Sequence, residues 1–144
     1  MIVEHEDRPN PSLKPKQTPY SKDAERSVLG AVLIDNRAWD LVIEESGGLS
    51  VDDFFLKEHK VIFDGLMTLS AKNQPFDYTT LKNVLQTNGS IDSIGGEAFI
   101  YDLVNNTPTA ANVVSYANIV RQKSIMRQLI EVGTDIVTSV YENS

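Results

Sequence analysis

Between Ala111 and Glu142 the chain carries neither a proline nor a cluster of turn residues, and its apolar residues recur at helical spacing throughout. Val113, Ala117, Val120, Ile125, Leu129, Val132, Ile136 and Val140 make one row, with Ile119, Met126, Ile130 and Val137 in a second row beside it. This is the pattern of one long helix, or of two with a bend near Gly133. It would run about thirty residues, against ~11–12 for a usual helix, and no later segment of the sequence is available to cover its apolar side. A helix of that kind normally packs against a hairpin partner or another subunit.

The residues before it read as a helical head. Ser21 and Asp23 suit the start of a helix carrying Ala24, Val28, Leu29, Val32 and Leu33, because a hydroxyl caps free N–H groups and a carboxylate suits the positive end of the dipole. Gly30 inside that run costs ~1 kcal/mol relative to alanine, which points to close packing against another helix. Asp35-Asn36 stops this helix, and the next, with Trp39, Leu41, Val42 and Ile43, ends at Gly47-Gly48. Phe54 and Phe55 are expected as core plugs, and Glu58–Lys72 as a helix turning Val61, Ile62, Phe63, Leu66, Met67 and Leu69 inward. Asp77 caps a helix with Leu81, Val84 and Leu85, and a short helix runs from about Glu97 to Asn105. No segment reads as a strand, so the fold class is all-α: a compact multi-helix head over 20–110, then a long helix over 111–144. Residues 1–19, with four prolines among polar and basic residues, bury too little apolar surface to offset the entropy of ordering and read as a disordered tail.

Charge and composition narrow the function. The net charge of -7 opposes a phosphate-binding surface, which is normally basic, so a helix-turn-helix DNA binder is disfavoured against a protein-interaction module. No apolar run approaches the ~20 residues of a membrane helix. Charges and prolines stand where a signal peptide would be apolar, and there is no cysteine; a cytoplasmic protein without disulfides is the expectation. Neither Gly47-Gly48 nor Gly95-Gly96 is followed by the lysine of a phosphate loop. His59 stands without a metal-ligand pattern around it. Asp52-Asp53 and Glu44-Glu45, being adjacent, point to different faces and read as solvated or capping groups. No catalytic, metal or cofactor residue emerges.

Several stretches, taken in order, resemble one family. They are the opening from Pro19 to Gly30, Asp35-Asn36 with Trp39, Asp53–Phe55, His59 with Ile62-Phe63, and Pro75 with Asp77 and Thr80. Gly95-Gly96 with Phe99, Thr107 to Val113, Tyr116-Ala117, Ile119–Arg121 and Arg127 with Leu129-Ile130 complete the pattern. Together they resemble the N-terminal domain of bacterial hexameric replicative DNA helicases of the DnaB family. The resemblance implies a helical head followed by the first arm of a long antiparallel hairpin. It implies paired domains that build a collar on the hexamer and dock the C-terminal, helicase-binding domain of primase. A motor using ATP and Mg and contacting DNA would lie outside this chain, making it a piece of a longer protein.

On the same ground the docking candidates are Asp23, Phe99, Ile130 and Ile136, positions that match the family's docking region. Asp23 stands where glutamate is common and Phe99 where tyrosine is common. Within this sequence Ile130 and Ile136 lie on the unpaired side of the long helix, where an apolar anchor can serve as a hot spot. The plainer readings are that both isoleucines pack on a hairpin arm, that Phe99 is core and that Asp23 only caps. Candidates for self-association are Val113, Ala117, Val120, Met126 and Leu129, against simple packing onto the head. A free-standing helical adaptor without a motor is the alternative from another class.

Overall fold

The computed structural model describes residues 17–44 and 47–144, and among these it has six α-helices, two short 3-10 turns and no strand. The expected tail falls largely outside the described residues; at its end the Pro19 carbonyl accepts from Arg127. Helix α1 (Lys22–Ile34) begins at Ser21, whose Oγ accepts from the Ala24 N–H at 3.1 Å. It is the central element, packing against α2 (Ala38–Glu44), α3 (Lys57–Ala71), α5 (Glu97–Asn105) and α6 (Val113–Glu142). Gly30 permits this: a Cβ there would stand 2.8 Å from Thr107 Cβ and 3.0 Å from the Leu103 carbonyl, so no larger residue fits without moving the end of α5.

Helix α4 (Tyr78–Thr87) starts as the sequence indicates, with Asp77 Oδ1 accepting from the Thr80 N–H at 2.8 Å and Thr80 Oγ1 from the Asp77 N–H at 3.0 Å. It lies close on α3 because Gly65 carries no Cβ; one would meet Leu81 Cδ1 at 2.7 Å. The core between these helices is Leu29, Phe54, Ile62, Phe63, Leu66, Leu81, Leu85 and Ile100, all fully buried. Trp39 packs its ring between Phe63 and Phe76 at 5.3 and 5.1 Å. Two expected core residues are not core. Met67 is 44% exposed, and Phe55 is 37% exposed because burial of Phe54 on an extended segment turns the next side chain outward.

Helix α6 is continuous for 30 residues with no break at Gly133, or about 45 Å at 1.5 Å per residue. Its apolar side is not one stripe. Val113, Ala117, Val120 and Ser124 are buried against the head, and the same row continues as Glu131, Asp135, Thr138 and Glu142, all exposed. The nearly opposite row runs Ser115, Asn118, Gln122 beside the head and then Ile125, Leu129, Val132, Ile136, Val140 beyond it, exposed throughout. The row read from the sequence therefore breaks between Val120 and Ile125, five residues and ~140° apart at 100° per residue. Polarity changes sides where the head ends.

Candidate docking surface

Two buried carboxylates organise the end of the head where α1 begins, α3 begins and α6 leaves. Glu25, on the apolar row of α1, accepts from the Phe55 N–H at 2.8 Å and the Leu56 N–H at 3.3 Å, and Nδ1 of His59 lies 2.7 Å from its Oε1. These backbone donors precede the first turn of α3 and have no partner in the helix itself. Both side chains are about 1% exposed. His59 is thus one member of a buried pair.

Asp53 is the second hub. Its Oδ2 accepts from the Ser50 N–H at 2.8 Å, and its Oδ1 from Ser124 Oγ at 2.7 Å and Arg121 Nη1 at 2.9 Å. The capping expected of it is present; the solvation is not, since Asp53 is 2% exposed. The Asp53 carbonyl also accepts from Arg127 Nη2, while Arg127 Nη1 donates to the Pro19 carbonyl, both at 2.8 Å. The Arg127 guanidinium lies over the Phe55 ring at 5.4 Å, and Tyr20 stacks on Phe55 at 4.6 Å. A cleft of about 160 Å3 opens beside them, walled by Gln17, Thr18, Pro19, Arg127 and Ile130.

Three of the four docking candidates fall around these hubs. Asp23 is exposed in the first turn of α1, two residues before Glu25, and the cap it could have supplied is made by Ser21. Phe99 is half-buried with its ring 6.0 Å from that of His59. Ile130 forms a wall of the cleft. Ile136, six residues on, is rotated ~120° around α6 from Ile130 and lies on the outer row. Of the self-association candidates, Val113, Ala117 and Val120 are inside the core, which leaves them no surface to offer; the head fills that side. Met126 and Leu129 are exposed. Sequence reasoning missed Tyr20, Phe55, Arg127 and Glu25. For Glu25 a signal was present, namely a carboxylate in register with Val28, Leu29 and Val32.

On the α4–α5 side a second polar group is exposed. Lys82 Nζ stands 2.8 Å from Glu97 and the Tyr78 hydroxyl donates to Glu97 at 3.0 Å. The Lys82 hydrogen bond, followed by that of Tyr78, holds the Glu97 carboxyl below its ordinary value, and Glu97 in turn raises the Lys82 ammonium. Among the described residues no cluster of His, Asp and Glu suited to a metal ion is formed, and no helix is long and apolar enough to cross a membrane.

Residues 17–122 match the family described as DnaB-like helicase N terminal domain. The chain is 40% identical over 123 residues to the replicative DNA helicase DnaB of Haemophilus influenzae, an alignment covering 85% of this chain and 26% of that protein. It therefore spans about a quarter of the length of the curated relatives it matches. The crystal structure of the N-terminal domain of DnaB helicase from Mycobacterium tuberculosis superposes with a TM-score of 0.82 at 34% identity, covering 89% of this chain and 87% of that one. A DnaB-like replicative helicase, whose structure was described with its interactions with primase, shares the fold at TM-score 0.69 and 21% identity, over 83% of this chain and 27% of that one.

Proposed function

The chain belongs to the family of DnaB-like helicase N-terminal domains, and from that premise we propose that it is the collar-forming, primase-docking part of an ATP-dependent hexameric replicative DNA helicase. The observation that supports this most is the distal half of α6. There Leu129, Val132, Ile136 and Val140 stand exposed on a single helix with their backs to an acidic row. Contiguous exposed apolar surface of this kind marks protein contacts, and the hairpin and neighbouring copies of a collar would bury it. The interactions of a fold relative with primase support the choice of partner. ATP and Mg would be held by a motor domain elsewhere in the protein, which would also make the main DNA contacts at the fork in the cytoplasm. The charge of -7 on this part fits a protein-facing role better than a phosphate-facing one.

The test uses the full-length protein: ATP-dependent strand displacement, sedimentation, and titration with the C-terminal domain of the primase from the same organism. Unwinding by a hexamer that binds that domain is expected. A monomer without ATPase activity would leave the adaptor reading in its place.

A further inference from the structure

We propose that Asp53 is a positioning residue: its carboxylate and its backbone carbonyl latch Arg121, Ser124 and Arg127, so that the distal half of α6 leaves the head in one direction and at one rotation about its own axis. The latch follows from contacts within this chain; only its consequence for assembly rests on the reading that copies of the domain build a collar.

Apolar packing alone does not fix such a helix. The head buries one narrow apolar row of α6, Val113, Ala117 and Val120, and contacts of this kind are non-directional, so a small roll or tilt changes them little. The residues that follow are polar. Arg121, Ser124 and Arg127 succeed one another at three-residue spacing on one flank of the helix. Ser124 Oγ and Arg121 Nη1 both donate to Oδ1 of Asp53, and Arg127 donates to two carbonyls on separate segments, those of Asp53 and Pro19. A planar guanidinium with two donors engaged is fixed in position and in orientation, as a lysine ammonium would not be. Hydrogen bonds weaken steeply as they bend. A roll that withdrew Arg121 and Ser124 would leave a buried carboxylate short of donors, which is strongly disfavoured.

The fixed side of the latch is anchored in the core. Asp53 closes the 3-10 turn Val51–Asp53, and its Oδ2 accepts from the Ser50 N–H and from Ser50 Oγ at 3.3 Å. The next residue, Phe54, is fully buried with its ring 4.9 Å from that of Phe63. The other side is long. Past Ser124 no residue of α6 is buried, and its backbone is continuous to Glu142, so its freedom to swing is concentrated at the root. From Ile125 onward it is a lever of roughly 27 Å, whose tip moves about 5 Å for a tilt of about 10°. A closed ring needs the same angle in every copy, so the latch sets whether neighbouring copies meet along this helix.

The experiment reads that angle as a distance. The core of the head is formed within this chain and the chain has no cysteine, so Asn83→Cys on the head and Thr138→Cys near the tip, both exposed, can carry spin labels. Pulsed dipolar spectroscopy then measures their separation in samples diluted with unlabelled chain. One narrow distance is expected in the parent and in Glu131→Ala, broadened or shifted by about 5 Å in Arg127→Met/Ser124→Ala with helicity retained. Where that pair unfolds the head, Arg127→Lys decides, since it keeps the charge and the stem but not the planar pair of donors, and broadening is expected there too. A parent distribution that is already broad, or one that stays narrow in the latch variants, overturns the latch. In full-length protein Arg127→Lys should lower the hexamer fraction in sedimentation. Undiminished hexamers beside broadened distances would overturn the link to assembly, whereas a wild-type protein that forms no hexamer overturns the collar reading, with the latch decided by the distances.

Discussion

Glu25 carries more of the fold than its length suggests. One carboxylate on α1 satisfies two N–H groups ahead of α3 and the ring of His59, so its removal takes the acceptor from one buried partner and from two partly buried N–H groups. A buried group left unsatisfied costs ~1–3 kcal/mol, and one that water can reach costs less. Glu25→Ala is therefore expected to destabilise the chain by about 2 kcal/mol or more, measured by urea unfolding. Glu25→Gln, which keeps an acceptor oxygen, should lose less. Equal losses in the two variants would mean that packing, not acceptance, is what Glu25 supplies. At the surface the effect has another form. Glu97 is held below its ordinary value of 4.5, so its contribution is present above that value and is lost as the pH falls through the lowered one. A melting curve followed downward from pH 4.5 should show a slope that Lys82→Met flattens, and a slope unchanged by that substitution would remove Lys82 as its cause. Being exposed, the group moves the midpoint only slightly.

Two glycines on helices behave oppositely for reasons of packing. Gly30 faces Thr107 and the Leu103 carbonyl, so Gly30→Ala should destabilise despite alanine's better helix propensity. Gly133 has nothing within 4 Å of where its Cβ would be, and Gly133→Ala should stabilise this chain by ~0.5–1 kcal/mol. Thermal unfolding of the two variants checks both signs, and a Gly133→Ala variant less stable than its parent would place a neighbour against that turn. Helix α6 is two helices in its environment while one in its backbone. Up to Ser124 its inner row is core; from Ile125 its outer row is the apolar one. Ile130 and Ile136, both candidates for one surface, lie past that change and belong to different faces because six residues of helix separate them by ~120°.

For the whole molecule this change of side sets the geometry of assembly. The apolar half of α6 lies past the head, on a row nearly opposite to the one the head covers, so a copy or hairpin arm reaches it without displacing the core. Sedimentation of this chain should show association that grows with concentration and is abolished in Leu129→Lys/Ile136→Lys, while circular dichroism stays unchanged. A monomer at every concentration would count against that face as a contact between copies of this chain, and Val113, Ala117 and Val120, being buried, could not take its place.

Helix boundaries were legible because their signals are local: Ser21, Asp77 and the absence of proline after Ala111 act through neighbours a few residues away. The all-α class followed from apolar periodicity, and the close approach at Gly30 from its position in an apolar run. Periodicity gives each residue an angle around its helix but not what stands at that angle, so the sequence could not say that Val120 faces the head while Ile125 faces away from it. Nor could it join Pro19, Asp53 and Phe55 to Arg127, or Glu25 to His59, because those bonds close loops of 30 to 108 residues and depend on where α1, α3 and α6 come to rest. The amino-acid order determined the elements and the family; the packing of the head alone decided which half of the long helix was left free and which side chains met at its root.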